Sequence, residues 1–302
     1  MTIKAAIPAL DSFAHAFELS KRQHRRNEFF KKAGAYLLLT IGSLTMIGPF
    51  LWMISTSLKE PGAVFSFQKN WWEEWIPVSF VWENYVKAWQ VVPFARFYLN
   101  SIFVSLLITA GQVMTSSMAA YAFARLRFPG RDKIFFGYLA TMMVPGAVTM
   151  IPVFILLRYL GWIDSYKALI MPGIFTAYGT FMLRQFFLTL PKDLEDAAKI
   201  DGCSYFGIFW KIILPLSQPA LATLTTFTFM GSWMNFMWPL IVINTQDKFT
   251  LPIGLAYFQS LHGTDWTLLM AASLMMILPI LLLFAFNQRF FVEGIKLSGI
   301  KG

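Results

Sequence analysis

The chain has 302 residues, of which 57% are hydrophobic and 14% charged, and its mean hydropathy is +0.56. An average soluble domain is about 45–50% apolar and about 25% charged, so soluble globular, disordered and fibrous classes are excluded and a membrane-embedded chain is indicated. Cys203 is the only cysteine, which rules out an intrachain disulfide and a cysteine-based metal cluster. In a soluble protein the net charge of +9 would suggest nucleic acid; in a membrane protein it reports loop topology first, and no nucleic-acid partner is expected.

Taken in chain order, residues 1–32 form a polar, basic segment. Within it Ile7, Leu10, Phe13, Ala14 and Phe17 fall at helical spacing, which fits either a short interfacial amphipathic helix or a loosely ordered tail. Runs free of Asp, Glu, Lys and Arg then cover residues 33–58, 97–124, 134–157, 168–183, 212–246 and 266–288. A bilayer core needs about 20 helical residues, so five runs qualify directly, and the fourth does so with residues 185–191, bringing Arg184 inside. The expectation is an all-α membrane protein with six transmembrane helices. The first run, at 26 residues, is too long for the apolar region of a cleaved signal peptide. Pro49, Pro145, Pro152, Pro172, Pro239 and Pro279 lie inside the spans, where kinked or broken helices are tolerated.

An even number of spans puts both termini on one side. The side holding residues 1–32, 125–133, 184–211 and the tail from Arg289 carries 18 of the 25 Lys and Arg, and the entire excess of +9. The positive-inside rule makes that side cytoplasmic. The opposite loop, residues 59–96, holds Trp71, Trp72, Trp75, Trp82 and Trp89; it reads first as an interfacial aromatic belt, with a docking surface as the competing reading.

Catalytic chemistry is missing from the spans. His15, His24 and His262 lie outside them, no span contains Asp or Glu, and no HExxH, GxSxG or Walker A string occurs. A carrier would pair ionisable groups near the midplane; Arg184 is the only candidate, and it lies at the cytoplasmic end of its span, where snorkelling accounts for it. The chain is expected to be a conduit with no enzymatic activity, no cofactor and no metal of its own.

The longest cytoplasmic loop, residues 190–215, has unusual physics for a linker. Pro191 suits a helix start, and Asp193, Glu195 and Asp196 favour the positive end of its dipole. Leu194, Ala197, Ala198 and Ile200 give the helix an apolar side, and Asp201-Gly202 stops it with a left-handed cap. A second helix is expected to carry Phe206, Phe209, Trp210 and Ile213 on one face until Leu214-Pro215 breaks it. Such a helix–turn–helix fits a docking element or a membrane-surface elbow equally.

Asp196-Ala197-Ala198, then Gly202 after three residues, Ile212 after nine more, and Leu214-Pro215 resembles the EAA loop of ABC importer permeases. The family's leading Glu is Asp196 here, with Glu195 just before it. Asn100-Ser101, the Ala120–Arg125 string, Arg127-Phe128-Pro129-Gly130, Met143-Val144-Pro145, Gly231-Ser232-Trp233, Trp238-Pro239-Leu240 and Leu251-Pro252-Ile253-Gly254-Leu255 are similar to the carbohydrate importers. The tail, Phe290–Gly294 with Gly299-Ile300-Lys301-Gly302, is similar to that of the smaller, maltose-type subunit.

The resemblance implies the type I importer permease fold, in the cytoplasmic membrane of a prokaryote. It implies one half of a heterodimeric pore, completed by a second permease, driven by two copies of an ATPase that bind ATP and Mg, and fed by an extracytoplasmic sugar-binding protein. Glu195, Asp196, Ala197, Ala198, Asp201, Gly202, Leu214 and Pro215 would couple to the ATPase, and Gly299, Lys301 and Gly302 in the 290–302 tail would reach toward it. Related permeases for glycerol phosphate or uronate oligosaccharides keep an anionic substrate open, and an ion-coupled secondary carrier is the more distant rival. For substrate contact the sequence offers Trp233, Asn235, Phe236, Trp238 and Asn244 around Pro239, where rings and amides cluster as sugar binding requires. An interfacial anchor at Trp238 and an interhelical hydrogen bond at Asn235 would explain them equally.

Overall fold

A computed structural model of the chain describes residues 7–65, 70–260 and 263–299. Helices dominate, and β-structure among these residues is one two-residue hairpin, β1 (Gln259–Ser260) against β2 (Gly263–Thr264). The first helix, α1 (Ile7–Ser57), runs unbroken through both the basic segment and the first apolar run. The N-terminal stretch is therefore neither a separate helix nor a loose tail; no Gly lies before Gly34, and residues of good helix propensity link the two parts. The α1 C-terminus is closed by Asn84 of α2 (Glu83–Val91), whose buried amide donates to the carbonyls of Ser57 (2.9 Å) and Lys59 (2.8 Å).

Among the described residues, three helices are long and apolar enough to cross a bilayer: α1 from His24, α3 (Phe94–Arg125), and α14 (Trp266–Gly299) as far as Phe290. Two bent pairs bring the count to five. One joins α4 (Arg131–Ala140), with its 3-10 extension to Met143, to α5 (Gly146–Tyr159) at 99°, broken at Pro145. The fourth expected span is instead divided into α6 (Tyr166–Ile170), a 3-10 turn through Pro172, and α7 (Ala177–Thr189). After α8 (Asp193–Ile200) come α9 (Tyr205–Ile208), a π-helical turn (Phe209–Ile213), α10 (Leu214–Leu216) and α11 (Gln218–Trp233), with an 80° bend before α11. The short α12 (Met237–Val242) and α13 (Leu251–Ala256) precede the hairpin and α14.

The expected break at Leu214-Pro215 is not where the chain bends. Pro215 opens α10, and its missing N–H is absorbed upstream by the π turn, in which Leu214 N–H reaches Phe209 O. The bend falls at Ser217, where Pro219 cannot donate to the Pro215 carbonyl. The single expected aromatic face also divides. Phe209 and Ile213 are buried, while Phe206 and Trp210 point outward.

The helices meet through small residues, the usual means of close approach in a membrane. A Cβ on Gly179 of α7 would stand 2.6 Å from Ser116 Oγ on α3 and 3.2 Å from Leu224 Cδ1 on α11, so Gly179 sets the spacing of three helices. Around it Ala120, Tyr121, Leu183, Phe187 and Leu224 form a buried core that extends to Ala198 and Ile208 of the following loop. A second core, built on Phe97, Phe229, Trp233, Leu251 and Ala272, joins α3, α11, α13 and α14. Outside these cores the surface is apolar: Tyr36, Leu38 and Leu44 of α1 and Leu281, Leu282 and Phe286 of α14 are exposed. Such continuous apolar faces suit lipid and not water.

Candidate functional site

Two features stand out, a surface helix at one end of the bundle and a cavity within it. The surface helix is α8. Its N-terminal turn carries Asp193, Glu195 and Asp196, and Gly202 ends the turn behind it at φ +79° with open space around its α-carbon. Gly202 thus has the left-handed geometry expected from the sequence, and the requirement there is conformational, not steric. The acids divide by face. Glu195 is buried, its Oε1 lying 2.9 Å from Arg125 Nε in the last turn of α3. Asp196 is exposed and accepts a hydrogen bond from Lys199 at 2.9 Å, which holds its carboxyl below the usual carboxylate range. The apolar side divides likewise, because Ala198 packs inward while Leu194, Ala197 and Ile200 stand in the open. Asp201 and Pro215 are exposed and Leu214 half-buried.

Arg184, expected to snorkel, is instead built into the same end. Its side chain is largely buried, donates from Nε to Phe123 O at 3.2 Å, and stacks over the Phe135 ring at 4.2 Å.

The cavity, about 870 Å³, is walled by Ile108 and Gln112 of α3, Thr149, Met150 and Val153 of α5, Tyr178 of α7, Gly231 and Ser232 of α11, and Asn235, Met237 and Trp238 beyond it. Its wall is mostly apolar and includes no Lys, Arg, Asp or Glu among the described residues. Trp238 is fixed by its indole N–H on Ala168 O (3.0 Å), and Asn235 Oδ1 accepts Trp238 N–H (3.3 Å) at the start of α12. That leaves donors and acceptors turned to the space. Neither Asn235 Nδ2, nor the Gln112 side-chain amide, nor the Tyr178 hydroxyl has a hydrogen-bond partner among the described residues. Unpaired amides and hydroxyls beside rings are what a polyhydroxylated solute can satisfy.

Residues 112–293 match the profile of the family described as the binding-protein-dependent transport system inner membrane component. The chain belongs to this family. The permease is 43% identical over 203 residues to the arabinooligosaccharides transport system permease protein AraQ of Halalkalibacterium halodurans, covering 67% of this chain and 73% of that protein. The AraQ of Bacillus subtilis is 41% identical over 207 residues, covering 68% and 74%. The sn-glycerol-3-phosphate transport system permease protein UgpE of Yersinia pestis is 32% identical over 268 residues, covering 86% and 94%. Among solved structures, a bacterial ABC transporter involved in import of the acidic polysaccharide alginate matches with a TM-score of 0.78 at 24% identity, over 88% of this chain and 98% of that one; this shows the importer permease fold. The permease is accordingly a membrane transport component and not an enzyme.

The structure separates the five residues that the sequence grouped. Asn235 and Trp238 line the cavity. Trp233 does not: it is 1% exposed, stacked on Phe229 at 5.6 Å, with its indole N–H on Met276 O at 2.9 Å. It faces α14 because the helical turn between Ser232 and Asn235 carries it round to the second core. Phe236 is outside the wall, and Asn244 contributes its backbone N–H to Asp164 Oδ1 at 3.0 Å in a loop at the opposite end from α8. Gln112, Thr149, Tyr178 and Ser232 were not anticipated as wall residues. Their available signal was an isolated polar group in an apolar run, and only folding brings the four runs together.

Asp164 ties that far end of the permease. It has φ +58° and accepts from the backbone N–H groups of Asn244 and Thr245, from Thr245 Oγ1, and from Lys248 Nζ at 3.1 Å. Burial pushes its carboxyl upward, but these hydrogen bonds outweigh that and hold it well below the usual carboxylate range. Nearby, Asn100 donates to Asp247 O and Phe249 O and accepts from Tyr166 OH. Gly299 is the last described residue of α14, whereas Lys69, His262, Lys301 and Gly302 lie outside the described residues.

Proposed function

We propose that this permease is one half of a heterodimeric, ATP-driven importer for a neutral oligosaccharide. It would sit in the cytoplasmic membrane of a prokaryote as six spans, with residues 33–58 as the first and residues 97–289 holding the other five. In this reading residues 1–32, 190–215 and 290–302 are cytoplasmic and 59–96 extracytoplasmic. A second permease closes the open side of the cavity, two ATPase copies carry ATP and Mg, and an extracytoplasmic binding protein delivers the sugar. Leu194, Ala197 and Ile200, exposed on α8 beside the exposed Asp196, form the face that would lie in an ATPase groove. The tail around Gly299, Lys301 and Gly302 would reach the same partner.

The observation that carries the substrate class is the cavity wall: rings and unpartnered amides or hydroxyls, with no Lys or Arg among the described lining residues. An anion would need basic donors to replace its hydration. The arabinooligosaccharide relatives fit that wall, and the glycerol phosphate relative and the alginate importer, which handle acidic solutes, fit it less well. Uptake of labelled arabinotriose by the reconstituted complex tests this reading directly. ATP-dependent uptake that an excess of sn-glycerol-3-phosphate or oligo-uronate leaves unchanged is expected. Stronger competition by either anion than by unlabelled arabinotriose would overturn the neutral class.

A further inference from the structure

We propose that Arg125 and Glu195 form the strut through which movement of α8 is passed to α3 and so to the cavity; Arg125 is then a positioning residue for coupling, and Glu195 its anchor on the moving helix. The inference rests on the importer reading above. Three observations carry it.

The first is location. Arg125 ends α3, the helix that places Gln112 in the cavity wall about three and a half turns earlier. Its Nη2 donates to the Phe187 and Leu190 carbonyls, the latter at 2.7 Å, so the same guanidinium also closes the end of α7, the helix that carries Tyr178. Nε lies 2.9 Å from Glu195 Oε1 on α8. One planar fork thus joins the surface helix to two helices that wall the cavity.

The second is burial. The Arg125 and Glu195 side chains are 2% and 7% exposed, so their attraction is little screened. By contrast the Asp196–Lys199 pair, one residue away, is 65% and 42% exposed and stays within α8, so it can transmit nothing beyond that helix.

The third is that the pair is poorly designed for stability alone. The Nε–H is not aligned on Oε1 despite the short contact, Nη1 has no hydrogen-bond partner, and the buried Tyr121 hydroxyl on the preceding turn of α3 has none either. Buried ion pairs with incomplete hydrogen bonding commonly contribute less than apolar residues of the same volume would, and their best-attested use is in fixing register or serving a switch. A contact that must hold while α8 is pulled and pushed, and that reaches both α3 and α7, fits that use. The substitution of Asp for Glu at Asp196 is then without consequence for the strut, because the buried acid is the residue before it.

The test uses the complete complex in nanodiscs, with Cys203→Ser removing the native thiol and Gln112→Cys reporting the cavity face of α3. Maleimide labelling of position 112 is timed without nucleotide and after trapping with ATP and vanadate. The parent should change its labelling rate severalfold on trapping; no change in the parent would sink the importer reading itself, and the strut with it. Glu195→Asp, which keeps the charge but shortens the reach, and Arg125→Lys, which keeps the charge but loses the fork, are then compared using only complex that co-purifies with the ATPase. The proposal expects both variants to assemble, to hydrolyse ATP, and to lose the nucleotide response at position 112. A full response in the assembled fraction of either variant would overturn it. Failure of both to assemble would overturn it as well, by making the pair a contact of the fold only.

Discussion

At the scale of single residues, the cavity and the packing cores make opposite demands, and neighbouring side chains on one stretch of chain answer different ones. Trp233 is a core residue. Replacing it with Ala removes a buried indole and a satisfied N–H, at about 3–5 kcal/mol, and should lower the thermal stability of the purified permease while leaving sugar preference unchanged. Asn235→Ala and Gln112→Ala should do the reverse, altering the ratio of arabinotriose to other sugars taken up with little change in melting temperature; a common slowing of every sugar would place both amides in packing. Asp164 gives a pH prediction. Its folded-state carboxyl is held low, so its contribution is fully present above the unfolded value near 4 and is lost as pH falls through the folded one. The stability gap between the parent and Asp164→Asn, a variant that keeps the left-handed preference, should be level from about pH 7 to about pH 5 and should narrow only below about pH 4. A gap that closes already near pH 6 would contradict the hydrogen-bond set around Asp164.

At the scale of elements, what the sequence revealed depended on whether a signal was local. α1, α3 and α14 are continuous apolar runs and were legible as such. Gly202 was legible because a left-handed cap is a property of one residue. The division of Glu195 and Asp196 between two faces was not, since adjacent acids look alike until Arg125, 70 residues earlier, takes one of them. Pro215 misled because the π turn before it absorbs its missing donor, and the bend moved to Ser217 ahead of Pro219. Helix spacing has its own test at Gly179, where α3, α7 and α11 converge. Gly179→Val would meet Ser116 Oγ and Leu224 and is expected to destabilise the bundle by about 1–3 kcal/mol, read as a lower melting temperature and less chain in the membrane. Gly34→Val, at a position with open space around its α-carbon, should leave both unchanged; equal losses at the two sites would remove the steric account.

At the scale of the whole molecule, the loops sort into two ends. Arg96, Asn100, Asp164 and Lys248 interlock at one, and Arg125, Arg184 and α8 gather at the other. Which of these ends faces the cytoplasm belongs to the function proposed above, where the excess of Lys and Arg in residues 125–133 and 184–211 supports the second. The cavity was not readable, because Gln112, Thr149, Tyr178 and Asn235 are scattered over more than 120 residues and meet only after α5, α7 and α11 have packed on α3. As proposed, the permease is a passive half-pore whose motion is supplied from outside. Reconstitution decides this most directly, with arabinotriose flux compared in vesicles holding this chain alone and vesicles holding it with the proposed second permease, ATPase and binding protein. Flux is expected only in the complete set and only with ATP on the ATPase side. Sugar accumulation by this chain alone, driven by an ion gradient and indifferent to ATP, would contradict it.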